Sequence, residues 1–89
     1  MNSERPLEKV YSLALATLGE RLRIQSYRSG KGIRRRLCDL GLTLGAKVKV
    51  LHKQNGGGVI VARDGTRVAL GARAARLVQV VPLGYGESR

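Results

Sequence analysis

The sequence predicts a mainly all-β fold, a small closed barrel of about five short strands with one short α-helix inserted between the first and second strands. Three observations lead to this prediction. The chain has 89 residues, enough for one domain with a modest core and too few for two. Apolar and polar residues alternate through most of it, which is the period of a half-buried strand. Tight glycine-containing turns separate these segments, and closing the strands into a barrel removes exposed sheet edges.

Each predicted strand offers an aliphatic face to the core. In RLRIQSY at 21–27 and AKVKVLHK at 46–53, leucine, isoleucine and valine alternate with arginine, lysine and glutamine, so each of these strands has one buried face. GVIVAR at 58–63 is continuously apolar in its centre, which predicts a strand buried on both faces. TRVALG at 66–71 and LVQVV at 77–81 complete the set.

Two connections have the composition of hairpin loops. QNGGG at 54–58 joins the second strand to the third with glycines, which tolerate positive φ. The dipeptide Asp64-Gly65 is the one that a two-residue type I′ hairpin prefers. The second, third and fourth strands are therefore predicted to be antiparallel neighbours.

One stretch departs from strand periodicity and predicts the inserted helix. Ile33, Leu37 and Leu40 lie at i, i+4 and i+7, on one helical face. Gly41 follows where a left-handed C′ residue ends a helix. Leu42 can then pack on Leu37, which is the apolar contact of a Schellman turn.

The helix carries three consecutive arginines, Arg34, Arg35 and Arg36, which fan around its polar side. Arg35 can pair with Asp39 at i+4, a contact worth about 0.3–0.5 kcal/mol when exposed. Asp39 lies near the helix C-terminus, where the macrodipole disfavours an acid, so it is expected to have a basic partner. Two interpretations stay open: a solvated face, and a docking surface whose guanidinium groups bind carboxylates of another protein.

The charge of the chain indicates the kind of partner. Its formal net charge of +11 favours nucleic acid, an anionic membrane surface or an acidic protein. Barrels that bind single-stranded nucleic acid combine a basic groove with aromatic platforms, and Tyr27 is the only aromatic residue within the predicted strands. No RNA-binding or zinc-finger signature is present, so specific nucleic-acid binding is the alternative and not the first prediction.

Metal-binding and catalytic side chains are few. Cys38 is expected to be a half-buried apolar residue beside the helical stripe, and His52 a partly buried residue at the barrel rim. The spacing of a four-ligand metal site is absent, although ligation through Cys38, Asp39 or His52 stays open. Because no carboxylate pair or nucleophile with a base is recognisable, neither an enzyme nor a cofactor is predicted. A single cysteine and the lack of a long apolar run fit a cytoplasmic protein.

Two segments resemble the ferrous iron transport protein A family (FeoA), small cytosolic proteins with an SH3-like barrel that accompany the bacterial ferrous-iron permease. IRRRLCDLGLTLGAKVKVL at 33–51 is similar to the family's basic helix, its D-L-G-L turn and the glycine that leads into a V-x-V strand. TRVALGARAARLVQV at 66–80 resembles its last strands, in which a short helical turn precedes the closing strand. Leu44 stands where the family often has proline, and 54–58 differs from the family's usual proline-containing loop, so the role of that loop stays open.

The resemblance implies an accessory protein that binds or regulates the cytosolic GTP-binding domain of the permease and is recruited by it to the inner membrane. The barrel domain is expected at 11–81, between a flexible leader at 1–10 and a flexible tail at 82–89. Whether the chain activates, restrains or assembles the permease, and whether it forms homo-oligomers, stays open. The residues expected to bind the partner or to shape the contact are Arg34, Arg35, Arg36, Asp39, Gly41 and Leu42.

Overall fold

The computed structural model describes residues 9–28 and 31–83. In these residues the chain forms six strands and two helices. In chain order they are β1 (Tyr11–Ser12), β2 (Arg21–Tyr27), α1 (Lys31–Asp39), β3 (Lys47–Lys53), β4 (Val59–Arg63), β5 (Thr66–Leu70), α2 (Ala72–Leu77) and β6 (Val78–Pro82). A 3₁₀ turn, Leu13–Leu15, follows β1 directly.

All the strands belong to one antiparallel sheet in the order β1-β6-β2-β3-β4-β5. The SH3-like class and the five predicted strands are confirmed. The strand β1 was missed because two residues carry no periodicity. The prediction of a single helix is wrong, since α2 packs on the 3₁₀ turn as a second helix. Its six residues are the short helical turn that the family resemblance implied.

The inward positions of the strands build an aliphatic core. Within the part of the chain that the structure describes, no polar or charged residue is buried. The prediction that β4 is buried on both faces is wrong, because Ile60 and Ala62 are only half-buried while Val59 and Val61 are fully enclosed. The core residues are Leu13, Ala16, Leu22, Ile24, Leu37, Leu42, Val48, Val50, Val59, Val61, Val68, Leu70, Ala75, Val78, Val80 and Val81.

A bulge in β3 changes the position predicted for His52. The register with β4 shifts between Val50 and His52, so the in-out alternation of the strand is interrupted there. Val50 is buried, and His52 is exposed. The expectation of a partly buried histidine is therefore wrong, because strict alternation was assumed across a bulge.

The two predicted hairpin loops are confirmed. Asp64 and Gly65 both have positive φ, 49° and 82°, as a type I′ turn requires. In the other loop the amide of Gln54 donates to the carbonyl of Gly58 at 2.8 Å. The chain termini predicted to be flexible lie outside the described residues, apart from 9–10 and 82–83.

Candidate partner-docking site

The C-terminus of α1 is built as a Schellman turn, as predicted. The amide of Leu42 donates to the carbonyl of Leu37 at 2.8 Å, and the amide of Gly41 donates to the carbonyl of Cys38 at 3.0 Å. Gly41 has a φ of +86°, the left-handed conformation that the turn needs. Leu37 and Leu42 are fully buried, so they anchor the helix end to the core and cannot touch a partner.

Tyr27 joins this turn to β2. Its hydroxyl donates to the carbonyl of Leu42 at 2.5 Å and lies 4.0 Å from the Cys38 sulphur. Burial, followed by the hydrogen bond with Cys38, raises the pKa of Tyr27 from 10.0 to about 12, so the hydroxyl keeps its proton at a pH where a free tyrosine loses it. Cys38 itself is exposed, which corrects the expectation of a half-buried thiol.

The three arginines of α1 are all exposed, and so is Asp39. Within the described residues no ion pair joins Arg35 to Asp39, so the predicted local pairing is not formed. The physical reason is the small gain from an exposed pair, which is offset by the entropy of fixing two long side chains. The guanidinium groups of Arg34, Arg35 and Arg36 are therefore presented to solvent along one turn of helix.

An apolar groove of about 200 Å³ lies between α1, β5 and α2. Two exposed arginines, Arg36 from α1 and Arg73 from α2, belong to its wall. Leu40, expected on the buried face of the helix, is instead 41% exposed and lines this groove. The groove was missed from sequence because it needs α2. Its apolar and small lining residues are Ile33, Leu37, Leu40, Ala69, Leu70, Gly71 and Ala74.

A further guanidinium lies against the end of α1. A Cβ added to Gly41 would lie 3.3 Å from Nη1 of Arg63, so the arginine side chain covers the turn closely. The same nitrogen lies 3.3 Å from a carboxylate oxygen of Asp64, while Nε of Arg63 is buried without a hydrogen-bond acceptor. A cation near a helix C-terminus is favoured by the macrodipole. Sequence reasoning missed Arg63, because its contact with Gly41 joins a strand end to a helix end.

The residues with metal-binding side chains are dispersed. Cys38 and Asp39 lie on α1 and His52 on β3. Across residues 9–28 and 31–83, no group of three or more His, Cys, Asp and Glu side chains could hold a metal ion. Over the same ranges no helix is long and apolar enough to cross a membrane.

Comparison with known proteins identifies the family. A model of the FeoA domain matches residues 11–82. The chain belongs to the FeoA domain family. It is 35% identical over 77 residues to the "Putative Fe(2+) transport protein A" of Methanocaldococcus jannaschii, a match that covers 86% of this chain and 93% of that protein. The resemblance stated from the two sequence segments is thus confirmed.

Solved FeoA structures share the architecture. The crystal structure of an iron uptake regulatory protein (FeoA) matches with a TM-score of 0.78 and 31% identity, covering 84% of this chain and 100% of that one. The solution structure of FeoA from Chlorobium tepidum matches with a TM-score of 0.74 and 32% identity, covering 88% of this chain and 75% of that one.

Proposed function

We propose that this chain is a cytoplasmic accessory protein of ferrous iron uptake, which docks through α1 and the adjoining groove on the cytosolic GTP-binding region of the ferrous-iron permease. The assignment to ferrous iron uptake is supported by membership of the FeoA domain family and by relatives named for Fe(2+) transport and iron uptake. The observation that carries the docking surface is the position of Arg36 and Arg73 on the wall of an apolar groove, beside the exposed Arg34 and Arg35.

The geometry suits recognition of an acidic segment that also carries an aliphatic side chain. Protein interfaces concentrate their binding energy in an apolar anchor seated in a pocket and surrounded by polar contacts. An inserted leucine or isoleucine buried against Ile33 and Leu40 would contribute about 1.5–3 kcal/mol. The arginines would bind neighbouring carboxylates through paired N–H donors. Gly41 and Leu42 hold the helix at the angle that presents both features.

The chain's contribution in this proposal is binding. Ferrous iron is the cargo of the permease, and the chain regulates or supports transport by contact with the permease's cytosolic part, which recruits it to the inner membrane. The nucleic-acid alternative gains no specific support from the fold. Tyr11 and Tyr27, the two tyrosines that the structure describes, are half-buried and pack against the core, whereas a stacking platform needs an exposed ring face.

Charge reversal with a matched control tests the proposal. Arg34, Arg35 and Arg36 are changed to Glu together, and a control variant changes the exposed cations Lys47, Lys49 and Arg67 to Glu. Both variants alter the net charge equally, so a general field effect weakens both alike. Isothermal titration calorimetry with the purified cytosolic domain of the permease is expected to show about 100-fold weaker binding for the α1 variant and under about fivefold for the control.

Thermal melts followed by circular dichroism verify that both variants fold. Equal losses of affinity in the two variants would show that the net charge, and not α1, drives association. Unchanged affinity in the folded α1 variant would remove α1 from the interface altogether.

A further inference from the structure

We propose that a second surface, centred on Leu15, binds anionic membrane directly, with the Leu15 side chain entering the interfacial layer. We call this surface the Leu15 face and define it by Leu15, Val10 and Leu77 together with Lys9, Arg28 and Arg76. The proposal goes beyond the function proposed above, because it concerns another side of the molecule and requires no contact with the permease.

Exposed aliphatic side chains are concentrated at this end of the chain. Leu15 is 72% exposed, Leu18 60% and Val10 50%. In the described ranges Leu40 and Leu44 are the other large apolar side chains with comparable exposure, and Leu40 belongs to the groove already described. Val10 and Leu15 line the same hollow, and neighbouring exposed apolar groups indicate an interaction surface.

Leu15 forms a ridge between two open hollows. It lines two hollows, one shared with Arg28, Arg76 and Leu77, the other with Lys9 and Val10. A side chain that borders two adjacent hollows stands between them and projects outward. The shape suits a soft apolar medium, which can close around a projecting side chain.

The ridge is held rigidly by its backbone. The hydroxyl of Ser12 accepts from the amide of Ala14 at 3.1 Å and donates to the carbonyl of Ala75 at 3.1 Å. The ammonium group of Lys53 donates to the carbonyls of Ala14 at 3.1 Å and Ala16 at 2.6 Å. Leu13 and Ala16, on either side of the tip, are buried. The exposure of Leu15 is therefore fixed by the turn.

The charges around the ridge favour an anionic bilayer over another apolar partner. Arg28 and Arg76 are exposed beside one hollow and Lys9 beside the other. Glu20, the acid of the second hollow, accepts hydrogen bonds from the hydroxyl of Tyr11 and the amide of Thr17. Projecting aliphatic side chains flanked by cations are the pattern of peripheral membrane binding, in which each basic residue near the surface adds attraction to anionic lipid.

The placement is compatible with the proposed docking site. Arg73 and Ala74 of α2 line the groove, whereas Arg76 and Leu77 of the same helix line a hollow beside Leu15. The groove and the two hollows beside Leu15 have no lining residue in common, so the two surfaces are separate. One molecule could then touch the membrane and a membrane protein simultaneously.

Vesicle co-sedimentation of the full chain tests the proposal without any permease present. The probes are phosphatidylcholine vesicles with and without phosphatidylglycerol. The chain is expected to bind only the vesicles that contain phosphatidylglycerol, and its affinity for them is expected to fall as the salt concentration rises. Leu15→Ser is expected to weaken binding about tenfold, and the double variant Arg28→Gln, Arg76→Gln roughly 30-fold. Leu44→Ser and the double variant Lys47→Gln, Lys49→Gln serve as controls at exposed positions elsewhere.

Three outcomes would overturn the proposal: no binding to anionic vesicles by the wild-type chain, equal losses in the control and Leu15-face variants, or full binding by Leu15→Ser. Preferred binding to an oligonucleotide that does not respond to Leu15→Ser would assign the basic surface to nucleic acid instead. Because these assays contain no permease, their result is separate from that of the docking experiment.

Discussion

Replacing Gly41 by alanine tests how α1 is positioned. A residue other than glycine in the left-handed conformation costs about 1–2 kcal/mol, and Gly41 has a φ of +86°. The new Cβ would also lie 3.3–3.4 Å from side-chain atoms of Arg63, which must shift slightly. For a domain of this size, that loss lowers the Tm by roughly 4–16 °C. Thermal denaturation followed by circular dichroism at 222 nm measures the change.

Two other glycines serve as controls that separate the backbone cost of Gly41→Ala from its contact with Arg63. Gly45 has a φ of +89° and open space around it, so Gly45→Ala reports the backbone cost without the contact to Arg63. Gly32 lies within α1 in open space, and Gly32→Ala is expected to raise stability by up to about 1 kcal/mol. A Tm of Gly41→Ala within about 2 °C of wild type would refute the Schellman geometry assigned to this turn.

Three further predictions concern the packing and titration of the domain. Leu37→Ala is expected to lower the free energy of unfolding in urea by about 2–5 kcal/mol and Leu40→Ala by about 0.5–1 kcal/mol, because Leu37 is fully buried and Leu40 is 41% exposed. Equal losses in the two variants would contradict the face of α1 that packs on the core. The pKa of Tyr27 is raised from 10.0 to about 12, so its contribution to stability is complete below pH 10 and is lost as pH rises towards 12. The urea midpoint of Tyr27→Phe should therefore fall less than that of wild type between about pH 10 and 12. Parallel falls of the two midpoints would exclude this linkage. A Cβ at Gly58 would lie 3.1 Å from the backbone carbonyl oxygen of Leu70 and 2.7 Å from Oε1 of Gln54, which is the free end of a flexible side chain. Because the backbone contact cannot be relieved by a rotamer change, Gly58→Ala should be destabilising by about 1–3 kcal/mol with little rescue by Gln54→Ala, and full rescue in the double-mutant cycle would contradict this assignment.

The strands and turns could be predicted from sequence because their signals are local. Alternation of aliphatic and polar residues predicted β2 and β3, and the Asp64-Gly65 dipeptide predicted a turn whose two φ values are both positive. The end of α1 was predicted equally well, since glycine followed by leucine encodes both the left-handed residue and its apolar contact. Each of these features is decided by residues a few positions apart.

The features that sequence reasoning missed depend on distant residues. His52 is exposed because β3 bulges against β4, and the spacing of residues within β3 gives no sign of a bulge. The groove is lined by Leu40 and Arg73, which are far apart in sequence and meet at one groove only in the folded domain. Arg63 reaches Gly41 across the end of a hairpin. The proposed docking surface therefore includes an apolar groove that the arginines alone could not indicate.

The central proposal is that a partner's cytosolic domain binds α1 and the groove beside it. Its most direct test is a ¹H–¹⁵N NMR titration of the labelled chain with the unlabelled GTP-binding domain of the permease. The proposal predicts that the largest shifts and line broadening occur at the amides of residues 33–40 and 69–74. Unperturbed amides in both segments, with changes concentrated around Lys47 and Lys49 on β3, would contradict it.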